Sequence, residues 1–590
     1  MEVGPANLTL VYRELKGKRT IRLLRFLPGP EQAYSFVYVD LDKAPPYVAL
    51  SYTWGTQAQL RTVIVDGQRL SIHNNLADAL SGMYSGIVSS TMLFWADAIC
   101  INQRDIQERS SQVRLMDALY RGAERVAIWL GNAFEGSDLL FDKMKIWDED
   151  IGETTSLAKT MSMGPSISRF YGVEGSSERR AWGAHRVLCA HEWWNRAWIV
   201  QEATALDSTS VYLVCGSKWA SWKCFRTTLQ IGYSLAGVNQ TMGTNFNQTM
   251  ALRIDGFREQ RECGDYLRLL EVLQHIRCYD STDPRDKVYA SLGMACDISN
   301  DEIIPDYSKS VLEVFTEVVQ WSLKRTNSDA LDFLGYVVRP APSSQWLRDY
   351  DPRLPSWIPD WKIKGNFPAL RKYTEWDVSE GARSYNASGN HELDATIKER
   401  NLSVRGLHFD EIIQVLTIVE DNLSESGAST EKTWIPTSRL QGKYQATNET
   451  INEAFNRTIM ADIGNEVDGP LELSRPYSMD WSLEARDPTE LAPADVSRRH
   501  NMLVHMKLAT FARRFFWTKR GYMGLAPAAA EVGDEVCVLF GGQVLYVVRP
   551  FDETKHEFIG ECYLHGWMDG EAVRGLGEDG ESFGRMYVFE

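Results

Sequence analysis

The chain has 590 residues, 44% hydrophobic and 24% charged, an ordinary globular balance with room for about two to four domains. Its 79 acidic against 63 basic residues leave a net charge of −16, which argues against a general nucleic-acid-binding surface but leaves room for a local basic patch. The 19 tryptophans imply large aromatic cores or stacking surfaces.

Strands and helices alternate at the start. Tyr47–Trp54, a short apolar run ended by Gly55, reads as a strand. Thr62–Ile72 reads as a hairpin turning at Asp66-Gly67. Asn75 is placed to cap a helix reaching about Tyr84. Thr91–Asp97 is a second buried strand. A helix over about Asp105–Gly122 follows, with Ile106, Val113, Met116, Leu119, Tyr120 and Ala123 on one apolar face. Arg125–Gly131 is a third strand. This order predicts an α/β fold, a mainly parallel sheet with flanking helices.

Residues of about 132–178 hold a helix and a Gly/Ser-rich stretch, Ser162–Ser177, read as an insertion. Ser208–Gly216 is a fourth strand, and helices dominate about 220–330. Prolines at 340, 342, 352, 355 and 359, with Trp346, Trp357 and Trp361 among them, mark a boundary. Beyond it Leu402–Gly406, Glu535–Val548 with a Gly-Gly turn, and Phe558–Leu564 read as strands. A polar, acidic stretch of about 420–500 reads as a helical or partly disordered insertion. The expected division is an α/β domain over 1–220, a helical region over 221–335 and a C-terminal β-rich domain over 336–590.

Three segments carry candidate chemistry. In the run His191-Glu-Trp-Trp-Asn-Arg-Ala-Trp-Ile-Val-Gln-Glu202, helical spacing puts Trp194, Trp198 and Glu202 on one face. Such a wall suits a flat cationic ring with an acid beside it. It equally suits a buried tryptophan-rich helix whose Glu202 caps a neighbour or pairs with an arginine such as Arg196. The first strand ends in Ser51, Tyr52, Thr53, Trp54 and Gly55, where parallel sheets bind ligands; the alternative is a strand end whose Trp54 plugs the core. The second strand ends in Asp97, with Asn102 and Gln103 beyond it. These side chains suit ribose hydroxyls or an amide, or else Asp97 holds its own loop and Asn102 and Asp105 cap a helix. Asp283-Pro-Arg-Asp-Lys287 precedes an apolar helix, with Asp283 as cap and Arg285 in an ion pair.

Other chemistries find no support. The cysteines are 9, without a C-x-x-C pair, and the 10 histidines lack ligand spacing, so neither disulfides nor structural zinc are expected. No glycine-rich phosphate loop and no G-x-S-x-G elbow occur. Neither a signal peptide nor a membrane span is expected.

Tyr47–Gly55, Leu93–Gln103 with Glu108, Arg109, Gln112 and Met116, and Trp194–Glu202 resemble, in order and spacing, the three blocks of the fungal heterokaryon-incompatibility (HET) domain. Asp283–Lys287 and the tail segments Gly521–Leu525 and Gly560–Glu571 resemble later parts of such proteins. Phe94-Trp95 departs from the family's usual Trp followed by an aliphatic residue. The resemblance implies a cytoplasmic protein that triggers cell death on non-self recognition, with an incompatibility partner. It also implies a distant kinship with TIR domains, hence a TIR-like or flavodoxin-like sheet. TIR enzymes that cleave NAD use the glutamate of a W-C-x-x-E helix; Trp198 and Glu202 have that spacing, with Ile199 at the cysteine's place. On that likeness Glu202 is the catalytic residue. Ser51, Tyr52, Trp54, Gly55, Asp97, Asn102, Gln103, Arg196 and Trp198 line a pocket for NAD or a related nucleotide, held as substrate and not as a cofactor. No metal is required, and a homo-oligomer is expected to complete the site. The rival reading is a non-catalytic signalling module that recruits a death partner. A third is a metabolite sensor whose C-terminal domain restrains the first.

Overall fold

The computed structural model describes residues 10–29, 32–55, 60–83, 92–151, 169–238, 246–264, 266–299, 301–325, 329–341, 350–365, 367, 369–370, 385–418, 442–462, 464–465, 473–474, 493–552, 554–574 and 584–590. Tyr84, Thr91, Ser162–Ser168, Trp346 and the stretch 420–441, all named in the expectations above, lie outside the described residues. The chain divides into two compact units, Met1–Val272 with Tyr279–Ser310, and Leu273–Cys278 with Val311–Glu590.

The first unit holds a mixed sheet of nine strands among the described residues. They are β1 (Thr20–Leu27), β2 (Ala33–Asp40), β3 (Tyr47–Ser51), β4 (Leu60–Val65), β5 (Gln68–His73), β6 (Leu93–Trp95), β7 (Arg125–Trp129), β8 (Val211–Cys215) and β9 (Lys218–Ser221). Their spatial order is β5-β4-β2-β1-β6-β3-β7-β8-β9. The expected parallel part is its centre, where β6, β3, β7 and β8 run side by side in parallel. All five residues of β3 are buried, as a strand between two parallel neighbours requires. Numbered by chain order, these four strands lie second, first, third, fourth. That doubly wound order reverses between β3 and β7, and the crevice outside their carboxyl ends is where open α/β sheets bind ligands.

The flanks depart from the expectation. β1 and β2 form an antiparallel hairpin that joins the sheet through β6. Ile21, Arg22, Leu23 and Leu24 are all buried, so β1 lacks the alternation by which a half-buried strand is recognised, and an arginine interrupts its apolar run. The β4–β5 hairpin turns where expected: Asp66 and Gly67 both take positive φ, 49° and 73°, and Val65 pairs with Gln68 across them. The helix expected over Asp105–Gly122 is two shorter ones, Ile106–Val113 and Met116–Arg121. Asp105 caps the first, accepting from the amides of Gln107 and Glu108. Helices Trp222–Val238, Phe246–Cys263, Leu269–Ile276, Asp286–Leu292 and Val311–Ser322 make the helical middle of the chain.

The second unit is antiparallel β. Its strands are β10 (Ala395–Lys398), β11 (Asn401–Val415), the short pair β12 (Gly464–Asn465) and β13 (Leu473–Ser474), β14 (Arg513–Thr518), β15 (Met523–Pro527), β16 (Glu535–Leu539), β17 (Leu545–Pro550), β18 (Lys555–Leu564) and β19 (Arg585–Phe589). Six of them close into a barrel in the order β11-β14-β15-β18-β17-β16, with β16 returning to β11. β11 is long enough, at 15 residues, to pair with β14 at its end, β16 in its middle and β19 near its start. The three strand segments read from the sequence fall in β11, in β16–β17 and in β18. In the described part of the polar insertion, helix Ile451–Ile459 starts at a capping box of Thr450 and Glu453.

Candidate functional site

The carboxyl end of β3 gathers a buried cluster of polar and charged side chains. Ser51 is 1% exposed and Glu202, from helix Ile199–Thr204, is 3% exposed. The Ser51 hydroxyl donates to Glu202 Oε2 and accepts from Trp193 Nε1 at 2.8 Å. An indole nitrogen only donates, so the single Ser51 proton is committed to the carboxylate. Arg196 Nη1 lies 3.7 Å from the same Oε2 and donates to the Tyr52 carbonyl, which ties strand end, cation and acid together. Burial raises the Glu202 carboxyl above its ordinary value, while Arg196 and the Ser51 hydrogen bond oppose the rise.

Asp97 closes the adjoining side. It ends the segment after β6 and opens the short helix Asp97–Cys100. Its Oδ1 accepts from Tyr52 Oη at 2.7 Å and from the Ala98 amide at 2.7 Å, and its Oδ2 from Trp54 Nε1 at 2.9 Å. Gln103 Nε2 donates to the Asp97 carbonyl at 3.0 Å. The Trp54 ring stays 38% exposed, a flat apolar face at the edge of the cluster. Gly55 follows at φ 75°, a conformation only glycine takes without strain. Across the switch point, Trp129 of β7 donates to Asn75 Oδ1 at 2.9 Å, and Asn75 Nδ2 donates to the Thr53 carbonyl at 2.7 Å. Asn75 therefore bridges the ends of β3 and β7 from inside helix Asn74–Met83 and is not that helix's cap.

The family model described as heterokaryon incompatibility protein (HET) matches residues 47–202, from the first residue of β3 to Glu202. Residues 47–202 form a HET domain. A second model, the Het-6 beta-barrel domain, matches residues 493–580, the stretch that contains β14 to β18. The chain is also 24% identical over 654 aligned positions to heterokaryon incompatibility protein 6, OR allele, of Neurospora crassa, covering 93% of this chain and 94% of that protein. No solved structure matches the chain.

Within the HET domain the expected aromatic wall does not form. The run from Glu192 is a short 3-10 turn, Glu192–Asn195, and the helix begins only at Ile199. Between them Arg196 is extended (φ −77°, ψ 136°), and the Ala197 amide donates to the Asp280 carbonyl at 2.8 Å. This break rotates Trp194 off the Glu202 face. Trp194 instead stacks on Phe225 with centroids 5.3 Å apart and donates to the Leu188 carbonyl at 2.8 Å. Trp198 also turns away, its indole on Asp286, which accepts from Tyr307 Oη at 2.6 Å as well. Asn102 stands apart too: its amide donates to Glu108 Oε1 at 2.6 Å and its Oδ1 accepts from the Arg104 amide at 3.3 Å.

The HET cluster therefore brings together Ser51, Tyr52, Trp54, Asp97, Arg196 and Glu202 of the expected residues, with Gly55 and Gln103 at its edges. Trp193 is the member the sequence did not reveal, because it has no helical spacing to Glu202 and acts through Ser51. The Asp283–Lys287 segment supports the site from outside. Arg285 pairs with Asp283 at 2.7 Å and donates to the carbonyls of Tyr307 and Lys309, and buried Lys287 reaches the Tyr279 carbonyl. Asp283 caps no helix by its side chain; the Asp286–Leu292 helix has Arg285 at its cap position. Among the described residues no group of three or more His, Cys, Asp or Glu is placed to hold a metal, and no helix is long and apolar enough to cross a membrane.

Proposed function

We propose that the chain acts in heterokaryon incompatibility, and that its HET domain does so by cleaving the nicotinamide–ribose bond of NAD with Glu202 as the carboxylate at the reacting sugar. The observation that supports this most is the Ser51–Glu202 pair at the carboxyl end of β3, beside the switch point of a doubly wound sheet. The W-x-x-x-E spacing of Trp198 and Glu202 is the one found in NAD-cleaving TIR domains.

In this reading the bond between ribose C1′ and the pyridinium nitrogen breaks, and its electron pair leaves with neutral nicotinamide. The sugar becomes an oxocarbenium ion, whose charge the Glu202 carboxylate stabilises. Water adds at C1′, one proton is released, and ADP-ribose is the second product. Ser51 directs its proton at Glu202 and fixes the carboxylate's orientation. Arg196 opposes the effect of burial and favours the ionised acid in the resting site, and the exposed Trp54 ring is the stacking face for a base. Access to Glu202 then requires the Arg196 side chain to swing aside, a step assigned to self-association or to the incompatibility partner.

The same burial supports a second reading. A carboxylate 3% exposed and 3.7 Å from an arginine is also what a fold-determining ion pair looks like. The HET domain would then be a non-catalytic module that recruits a partner. Expression in a host fungus separates the two. The enzymatic reading expects cell death with a fall in cellular NAD, both abolished by Glu202→Gln at equal protein level. Death with an unchanged NAD pool favours the recruiting module.

A further inference from the structure

His191 opens the motif run, at the cap of the 3-10 turn Glu192–Asn195. Its Nδ1 accepts from the Trp193 amide at 3.1 Å. A ring nitrogen that accepts carries no proton, so the imidazole is neutral and its proton sits on Nε2. Burial pushes its pKa below the ordinary histidine value while Glu192 opposes, in keeping with a neutral ring. The cap accounts for Nδ1, but no described residue bonds to Nε2–H. That donor lies at Gly131, where an added Cβ would be 3.6 Å from Nε2. Gly131 comes three residues after Ile128, the β7 partner of Ser51, so the donor stands beyond the carboxyl end of β7. The same Trp193 gives its indole proton to Ser51, which donates to Glu202. One tryptophan thus ties a spare donor beside β7 to the acid beside β3, on the two sides of the switch point.

We propose that His191 is a substrate-binding residue of the HET domain, its Nε2–H donating to a phosphate oxygen of the substrate's pyrophosphate. The assignment rests on the NAD-cleaving reading above. With Glu202 at the reacting ribose, a group one tryptophan away meets the next part of the dinucleotide. That part is the pyrophosphate, whose ionised oxygens only accept, and a hydrogen bond to a charged acceptor is among the stronger ones. Gly131 leaves the approach to the ring free of a side chain, and its φ of 89° favours glycine there. The pyrophosphate keeps its charge while the nicotinamide–ribose bond breaks. The contact is therefore equal in ground and transition states, so it lowers KM and leaves kcat alone.

The test is steady-state NAD cleavage by the full chain, wild type beside His191→Asn and His191→Asp. Asparagine and aspartate are equally good caps, so both keep the bond from the Trp193 amide, and Tm should match the wild type. Neither extends a donor to Gly131, and aspartate adds a negative charge. KM should rise about tenfold in His191→Asn and further in His191→Asp, with kcat within about twofold of the wild type. The inhibition constant of ADP-ribose, which keeps the pyrophosphate, should rise in step. A purely structural role would move the two variants alike. An unchanged KM, equal rises in both variants, a fall in kcat alone, or unfolding of both overturns the assignment and leaves the NAD reading standing. No cleavage by the wild type overturns that reading and the assignment with it.

Discussion

Replacing Arg196 by alanine probes the centre of the HET cluster. Two things are lost. The first is the cation 3.7 Å from a carboxylate that is only 3% exposed, which leaves a buried charge facing one serine hydroxyl. Breaking a buried pair from one side costs about 3–5 kcal/mol. The second is the hydrogen bond to the Tyr52 carbonyl, worth about 1 kcal/mol. At about 2 °C per kcal/mol in a unit of this size, the transition of the first unit should fall by about 8–12 °C at pH 8. The loss should also depend on pH, and its sign is fixed. Glu202 has a raised folded value, so its contribution to stability is greatest below the ordinary carboxylate range and is lost as pH rises through that raised value. Without Arg196 the value rises further, so the deficit should grow as pH rises. Adding Glu202→Gln removes the unpaired charge and should recover all but about 1 kcal/mol, the Tyr52 term. Differential scanning calorimetry of the wild type, Arg196→Ala and the double variant across pH 5–8 measures this. A deficit that does not change across this range, or no recovery in the double variant, refutes the coupling of Arg196 to the buried Glu202.

Three other outcomes are expected. Trp193→Phe keeps an aromatic ring beside Trp194 but removes the donor to Ser51, and should cost about 1–3 kcal/mol in denaturant unfolding; an unchanged midpoint would remove Trp193 from the network. Gly293→Ala would place a Cβ 2.3 Å from Gln201 Nε2 and 2.5 Å from Asp117 Cβ, next to the Glu202 helix. It should lower Tm by an amount equivalent to about 1–3 kcal/mol, and a Tm equal to wild type would contradict that packing. Asp286 is raised to about 6, chiefly by burial, so its contribution is present below the ordinary carboxylate range and lost as pH rises through about 6. Asp286→Asn should flatten the fall of Tm between pH 4.5 and 7.5, and an unchanged slope would show that Asp286 does not titrate there.

The central parallel strands were legible because β3, β6 and β7 are short, apolar and bounded by turn residues, and the β4–β5 turn because Asp66-Gly67 suits positive φ at both positions. β1 was not, since it is buried on both faces and carries Arg22, whose guanidinium is paired with Glu108 far along the chain. The strand-end residues Ser51, Tyr52 and Asp97 were placed by position alone. The helical reading of Trp194 to Glu202 failed at Arg196, whose extended backbone is held by Asp280, some 80 residues on and invisible to any local periodicity. Trp193 was hidden for the same reason, because its partner Ser51 belongs to another element.

Nicotinamide release by the purified chain, wild type beside Glu202→Gln, tests the central claim most directly. Glutamine keeps the side chain's size and hydrogen-bonding reach while removing the charge, so the fold of the variant can be matched by calorimetry. The account predicts nicotinamide and ADP-ribose in equal amounts from the wild type and a loss of at least about 100-fold in the variant, as expected when charge stabilisation of a transition state is removed. Equal release by both proteins would take Glu202 out of the chemistry. No release by either, including at concentrations that drive self-association, would contradict the enzymatic reading and leave the HET domain as a recruiting module.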